Sequence, residues 1–216
     1  MKKKRNNSIF KTEGVVEILE ITGIVLAGGK SSRMGKNKAF LEIDGKPLIE
    51  RNLATLESLF SDVLISSNTP ELYRSYKEKV VQDQYIGTGP LGGLHACLEE
   101  AHTEYAFFVA CDIPILNPEL IRFMASLTEK GYDCIVPRTK DRIHPLFALY
   151  NKSCLPKIKD FLQEGHYKVI DFFPQLSVRY VKENELACFG DPRLLLCNVN
   201  TPEDWLNFQK KLVGKE

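Results

Sequence analysis

No stretch of the sequence approaches the ~20 consecutive apolar residues that a membrane span requires, which excludes a transmembrane chain. The N-terminal Met1-Lys2-Lys3-Lys4-Arg5 carries the charge of a secretory leader, but Asn6, Asn7, Ser8, Lys11, Thr12 and Glu13 interrupt the apolar run that should follow. Residues 1–20 therefore read as a mobile extension with no chemistry of its own. No two of the six cysteines are close enough for a CxxC pair, so neither a locally built zinc site nor a redox dithiol is available. Plain buried thiols in a reducing cytoplasm are expected instead. Charge of one sign is also missing. Twenty-nine Lys and Arg against 28 Asp and Glu leave a formal net charge of +1, too little to hold nucleic acid by bulk attraction. Internal repeats, low-complexity tracts and linkers rich in Pro, Gly or Ser are lacking too, which implies one domain over residues 21–216.

The composition that remains, 44% hydrophobic and 26% charged over 216 residues, suits a single α/β unit burying roughly 70% of its unfolded surface. From Ile21 onward, short β-branched runs alternate with longer amphipathic segments. Ile21 to Ala27, Asp62 to Ser67, Val80-Val81 and Tyr105 to Cys111 read as strands, and Pro47 to Phe60, Pro70 to Lys77, Pro90 to Ala101 and Asn117 to Glu129 as helices. Strand followed by helix, repeated, implies parallel strands joined by crossovers. After residue 133, Cys134 to Arg138 and His144 to Tyr150 flank the polar turn Thr139 to Arg142, which suggests a hairpin and so a mixed sheet. Leu155 to Glu164 is read as a helix, Leu176 to Lys182 as a strand, and Thr201-Pro202 as the start of a last helix. The fold class is α/β, with three layers and a mostly parallel mixed sheet.

In such a sheet ligands bind beyond the carboxyl ends of the strands. The tips are the loop after Ala27, Ser66 to Asn68, Asp83 and Asp112. The first reads Leu26-Ala27-Gly28-Gly29-Lys30-Ser31-Ser32-Arg33-Met34-Gly35-Lys36-Asn37-Lys38. Its glycines let backbone N–H groups approach a ligand, and its four cations suit a polyphosphate. A flexible basic loop is the plainer alternative. A Walker A loop is not present, since Lys30 and Asn37 stand where a glycine and a hydroxyl are needed. Gly87-Thr88-Gly89-Pro90-Leu91-Gly92 matches a dinucleotide fingerprint by spelling, but it does not follow the first strand, and Pro90 removes an N–H from the helix start.

Asp112 ends the most apolar strand, where its carboxylate is costly unless a cation accompanies it. Magnesium shared with substrate phosphates would serve, and a helix cap or an ion pair are the alternatives. Asp83 could accept both the N1–H and the N2 amine of guanine, or it could be a simple turn residue. His144 lies before Pro145 with no nucleophile that would recruit it as a base, so a hydrogen-bonding role is favoured. Tyr167-Lys168 and Asn198-Val199-Asn200-Thr201 offer further donors, or ordinary caps.

These residues resemble the molybdenum cofactor guanylyltransferases, within the wider nucleotidyltransferases of Rossmann-like fold. The likeness runs from about Ile21 to the last helix. It rests on Leu26-Ala27-Gly28-Gly29 with Ser32-Arg33-Met34-Gly35 and Lys38, on Asp83 with Gly89-Pro90-Leu91-Gly92-Gly93-Leu94, on Cys111-Asp112-Ile113-Pro114, on His144-Pro145 with Ala148-Leu149, and on Asn198 to Asp204. The resemblance implies transfer of GMP from GTP to the phosphate of molybdenum-molybdopterin in the cytoplasm. Leu26, Ala27, Gly28 and Gly29 would line the nucleotide, Lys38 and Arg33 would neutralise its phosphates, Asp83 would read guanine, Asp112 would hold magnesium, and Asn198 and Asn200 would face the pterin. Cofactor-delivery and molybdoenzyme proteins would be its protein partners. Where the family usually has Asp before the lysine, this chain has Asn37, whose amide is expected to replace that charge by hydrogen bonding. The rival readings are a cytidylyl- or sugar-phosphate nucleotidyltransferase and a nucleotide-binding cofactor-delivery protein without turnover.

Overall fold

The computed structural model describes residues 18–28 and 38–213. Strand β1 (Leu19–Leu26) leads to a 3-10 turn at Lys38–Phe40, the short strands β2 (Glu42–Ile43) and β3 (Lys46–Pro47), and helix α1 (Leu48–Glu57). Then come β4 (Phe60–Ser66), a 3-10 turn at Pro70–Tyr73, β5 (Lys79–Val81), α2 (Pro90–Glu100), β6 (Tyr105–Ala110) and α3 (Pro118–Ser126). The second half contains β7 (Cys134–Arg138), β8 (Phe147–Asn151), α4 (Cys154–Gln163), a 3-10 stretch at Val169–Gln175, β9 (Val178–Lys182), the one-turn helices α5 (Glu183–Leu186) and α6 (Pro192–Leu195), and α7 (Pro202–Val213). Among the described residues no helix is long and apolar enough to cross a membrane.

Seven strands form one sheet in the order β5-β4-β1-β6-β8-β7-β9. β1 pairs in parallel with β4 and β6, β4 with β5, and β7 with β9, while β8 runs antiparallel between β6 and β7. The mostly parallel mixed sheet read from the sequence is therefore present. Alternate residues along each strand go to opposite faces, and both faces are covered. Val25, Ile65, Phe107 and Leu149 pack with Leu53 and Leu56 of α1 and Ile121 and Met124 of α3. Ile24, Leu64, Phe108 and Tyr150 pack with Leu91 and Leu94 of α2 and Ile158 and Leu162 of α4. Covering both faces explains why β6 reads as an unbroken apolar run. A third cluster joins Ile43 and Leu48 to Val199, Trp205 and Phe208. It folds α7 back over the β2–β3 hairpin, with the Arg51 guanidinium 5.9 Å from the centroid of the Trp205 ring.

Element boundaries follow local chemistry. The Asn117 side chain accepts a 3.0 Å bond from the Leu120 N–H, and Pro118 occupies the first turn of α3. This helix ends at Ser126, short of the expected Glu129, because the chain tightens into a 3-10 turn at Thr128–Lys130 before Gly131 terminates it at φ 69°. The Pro70 helix is likewise only a 3-10 turn, Pro70–Tyr73. β1 begins two residues before Ile21, since the Leu19 N–H donates to the Leu59 carbonyl at 2.8 Å. Leu19 and Glu20 thus belong to the sheet and not to the extension drawn at residues 1–20, whose residues 1–17 lie outside the described residues. Of the six free thiols, Cys97, Cys111, Cys134 and Cys154 are buried as expected, but Cys188 is exposed and Cys197 half-buried, because both lie on the loops around α6 and not on strands.

Gly23 sits in the middle of β1 where a side chain has no room: a methyl there would lie 2.7 Å from a Phe60 ring carbon and 3.2 Å from Leu56 Cβ. Phe60 and Leu56 are themselves buried and cannot swing out. Gly23→Val should therefore destabilise the fold by about 1–3 kcal/mol, seen as a lower urea midpoint at unchanged slope. An unchanged midpoint would show that the sheet has slack at this position.

Candidate active site

The parallel register carries the strand tips into one row. Val81 pairs with Ser66, Ser66 with Leu26, and Leu26 with Ala110. Two residues beyond this line come Asp83, Asn68, Gly28 and Asp112. Strand spacings of about 4.8 Å put the columns of Asp83 and Asp112 about 14 Å apart, a gap that one nucleotide bridges. On the far side β8 runs antiparallel beside β6, with Val109 paired to Phe147 and the Ala110 N–H donating to the Leu146 carbonyl at 2.8 Å. His144 lies in the turn before β8, where its carbonyl accepts from the Phe147 N–H at 3.0 Å.

The tip of β1 is bonded on both flanks. The Ala27 N–H donates to the Ser66 carbonyl at 2.9 Å, the Cys111 N–H to the Leu26 carbonyl at 3.1 Å, and the Tyr73 hydroxyl to the Ala27 carbonyl at 3.2 Å. Gly28, exposed at the end, leaves the edge open. Leu26 and Ala27 are buried beneath it. Gly29 and Arg33, together with the rest of the basic loop, lie outside the described residues.

At one end of the row, Asp83 and Asn68 bond reciprocally. The Asn68 amide donates to Asp83 Oδ2 at 2.9 Å, and the Asp83 N–H donates to Asn68 Oδ1 at 2.8 Å. Burial raises the Asp83 carboxyl above the ordinary range, and the Asn68 bond opposes that rise. The start of α2 gives it room: a methyl on Gly93 would meet Ser66 Oγ at 2.7 Å and Asp83 Oδ1 at 3.3 Å. Gly92 and Gly93 clear this space, while Gly89, at φ 64° before Pro90, serves the turn that opens the helix after β5.

At the other end, burial raises the Asp112 carboxyl, while Lys38, a hydrogen bond from Asn198, and Arg142 favour its charged form. Asp112 Oδ1 is buried and has no hydrogen-bond partner among the described residues. Its carbonyl accepts from the Val199 N–H at 2.7 Å. Lys38 donates to Asn200 Oδ1 at 2.5 Å across 162 residues of sequence. The structure thus gathers Lys38, Asp112, Asn198 and Asn200, with α7 and its Trp205 cluster holding the last segment in place. Tyr167 and Lys168 are exposed on the loop that leads from α4 to Val169–Gln175.

Three contributors escape a reading of sequence alone. Asn52 on α1, 1% exposed, donates to the Cys111 carbonyl at 3.4 Å and steadies the strand end that bears Asp112. Arg142, read as part of a polar turn, reaches the Leu196 carbonyl at 3.5 Å, and its charge acts on Asp112, His144 and Cys197. Asn68 was a strand tip without a role. Its signal is that Asn68 stands two residues beyond Ser66 as Asp83 stands two beyond Val81, which becomes visible once the pairing of Ser66 with Val81 is known.

A family model described as the MobA-like NTP transferase domain matches residues 23–179. A protein of Pelotomaculum thermopropionicum named "Probable molybdenum cofactor guanylyltransferase" is 42% identical over 187 residues, covering 87% of this chain and 91% of its own. The molybdenum cofactor guanylyltransferase of Syntrophotalea carbinolica is 36% identical over 194 residues, covering 89% of this chain and 92% of its own. Among solved structures, molybdopterin-guanine dinucleotide biosynthesis protein A of Archaeoglobus fulgidus superposes with a TM-score of 0.78 at 26% identity, over 90% of this chain and all of that one.

His144 gives a pH test of the site's dryness. Burial, and then the Arg142 charge, lower its pKa to about 4, and its Nε2 is buried without a partner among the described residues. The fold holds it neutral, so between about pH 6.5 and 4 the unfolded chain binds the extra proton and stability falls with falling pH. His144→Asn should flatten that decline by at most about 1.4 kcal/mol per pH unit in urea titrations across the window. Parallel slopes for the two proteins would show that the ring is hydrated.

Proposed function

The chain belongs to the MobA-like NTP transferase family, and on that premise we propose that it transfers the guanylyl group of GTP to the terminal phosphate of molybdenum-molybdopterin, forming molybdopterin guanine dinucleotide and pyrophosphate. The observation that carries this reading is the row itself, with a carboxylate in a glycine-cleared recess at one end and Lys38 with a buried, unpartnered carboxylate oxygen at the other. Asp83 takes the N1–H and N2 amine of guanine. The phosphates cross Leu26, Ala27 and Gly28, with Gly29 and Arg33 on the same loop, and end against Lys38. Asn198 and Asn200 each spend part of an amide on the nucleotide side and turn the remainder toward the pterin.

The free oxygen of Asp112 fits a magnesium ion, which takes one or two carboxylates and fills its remaining positions with phosphate oxygens and water. Bound there, the ion would offset the charge that gathers on the phosphates. The acceptor phosphate is ionised at neutral pH, so no side chain need remove a proton. Its oxygen attacks the α-phosphorus of GTP, the bond from that phosphorus to the β-phosphate oxygen breaks, and pyrophosphate leaves. The work of the chain is alignment and charge balance, assigned to Lys38 and, from the sequence, to Arg33 and the N–H groups of the first loop, most of which lies outside the described residues. His144, with a pKa of about 4, is a poor proton acceptor at pH 7, and no base role is assigned to it. We place the reaction in the cytoplasm, where the free thiols stay reduced.

With molybdopterin and magnesium, GTP should yield pyrophosphate and CTP far less. Equal yields would overturn the base assignment, and no yield would favour a delivery protein without turnover. GTP with magnesium at about 100 times Kd should stabilise the fold by about 2.7 kcal/mol. Lys38→Ala should slow pyrophosphate release by roughly 10²-fold or more, and near-normal release would remove its assigned role.

A further inference from the structure

Asp83 could read a base only if the plane of its carboxylate were fixed, because a carboxylate free to rotate offers its lone pairs to any donor. The amide of Asn68 fixes it from the neighbouring strand tip. The Asp83 N–H can only donate, so the oxygen of Asn68 must face it at 2.8 Å, and the NH2 group must then face Asp83 Oδ2, at 2.9 Å. Turning the amide over would set hydrogen against hydrogen and oxygen against oxygen. One lone pair of Oδ2 is thereby committed. Oδ1 and the rest of Oδ2 lie beside Gly93 and Gly92, where α2 carries no side chain.

We infer that Asn68 is a positioning residue for base choice, holding the Asp83 carboxylate in the one orientation that accepts two adjacent donors from guanine. The inference rests on the reading of Asp83 as the guanine partner and adds a second residue, on another strand, to it. Asn68 itself need not touch the nucleotide. Its exposure makes the bond modest as a source of stability, so its effect lies in orientation. Burial of Asp83 makes the partner matter more, since a desolvated carboxylate without a donor moves toward the protonated form, which presents a donor of its own to the base.

The test compares GTP with inosine triphosphate, which lacks only the N2 amine, by calorimetric binding in the presence of magnesium. Wild type should prefer GTP, and Asp83→Asn should abolish the preference. Asn68→Ala should weaken GTP binding by about tenfold and remove most of the preference while weakening inosine triphosphate less. Asn68→Asp keeps the shape and the acceptor for the Asp83 N–H but sets carboxylate against carboxylate. It should be at least as damaging as the alanine, whereas a purely structural residue would tolerate the isosteric change better. If Asp83→Asn loses the preference and both Asn68 variants keep the wild-type ratio, the positioning role is overturned and the guanine reading stands. If Asp83→Asn keeps the preference, the guanine reading falls and this inference falls with it.

Discussion

Four parallel strands held in register are the constraint on which the site depends. Because Val81, Ser66, Leu26 and Ala110 share one line of pairing, the residues two positions further on are fixed side by side without any need to contact one another directly. Their separation is then set by the spacing of the sheet and not by flexible side chains. A slip of one residue in β5 would turn Asp83 to the wrong face, since side chains alternate along a strand. The two apolar clusters that bury both faces hold that register, so packing far from the edge governs geometry at the edge.

The same arrangement explains why charge accumulates there. Asp83 and Asp112 are both made less acidic by burial, which an apolar core alone would not tolerate. Each is only partly compensated from within the chain, Asp83 by Asn68 and Asp112 by Lys38, Asn198 and Arg142. The remaining capacity, Asp83 Oδ1 beside Gly93 and the buried Asp112 Oδ1, lies at opposite ends of the row. A ligand with donors at one end and, at the other, phosphates accompanied by a divalent cation would satisfy both.

Much of this was legible in the sequence because it is local. Strand-like runs ending in Ala27, Ser67, Val81 and Cys111 located the tips, and Asn117-Pro118 and Gly131 located helix ends. What could not be read is what depends on pairing between distant segments. The bond from Lys38 to Asn200 needs α7 to fold back onto the β2–β3 hairpin through Trp205 and Phe208, and no local pattern encodes that contact. The Asn68 brace needs the β4–β5 register. Arg142 read as a turn residue because its partners lie on other elements. The shortfall of α3 at Ser126 has a smaller cause, the tightening of a last turn before glycine.

The most direct measurement of the central claim is a crystal structure with a GTP analogue that resists cleavage between the α- and β-phosphates, soaked with manganese and recorded at its absorption edge. The account predicts the guanine edge against Asp83, the triphosphate along Gly28 to Lys38, and an anomalous peak at Asp112 Oδ1. A base bound away from Asp83, or a metal peak away from Asp112, would contradict it.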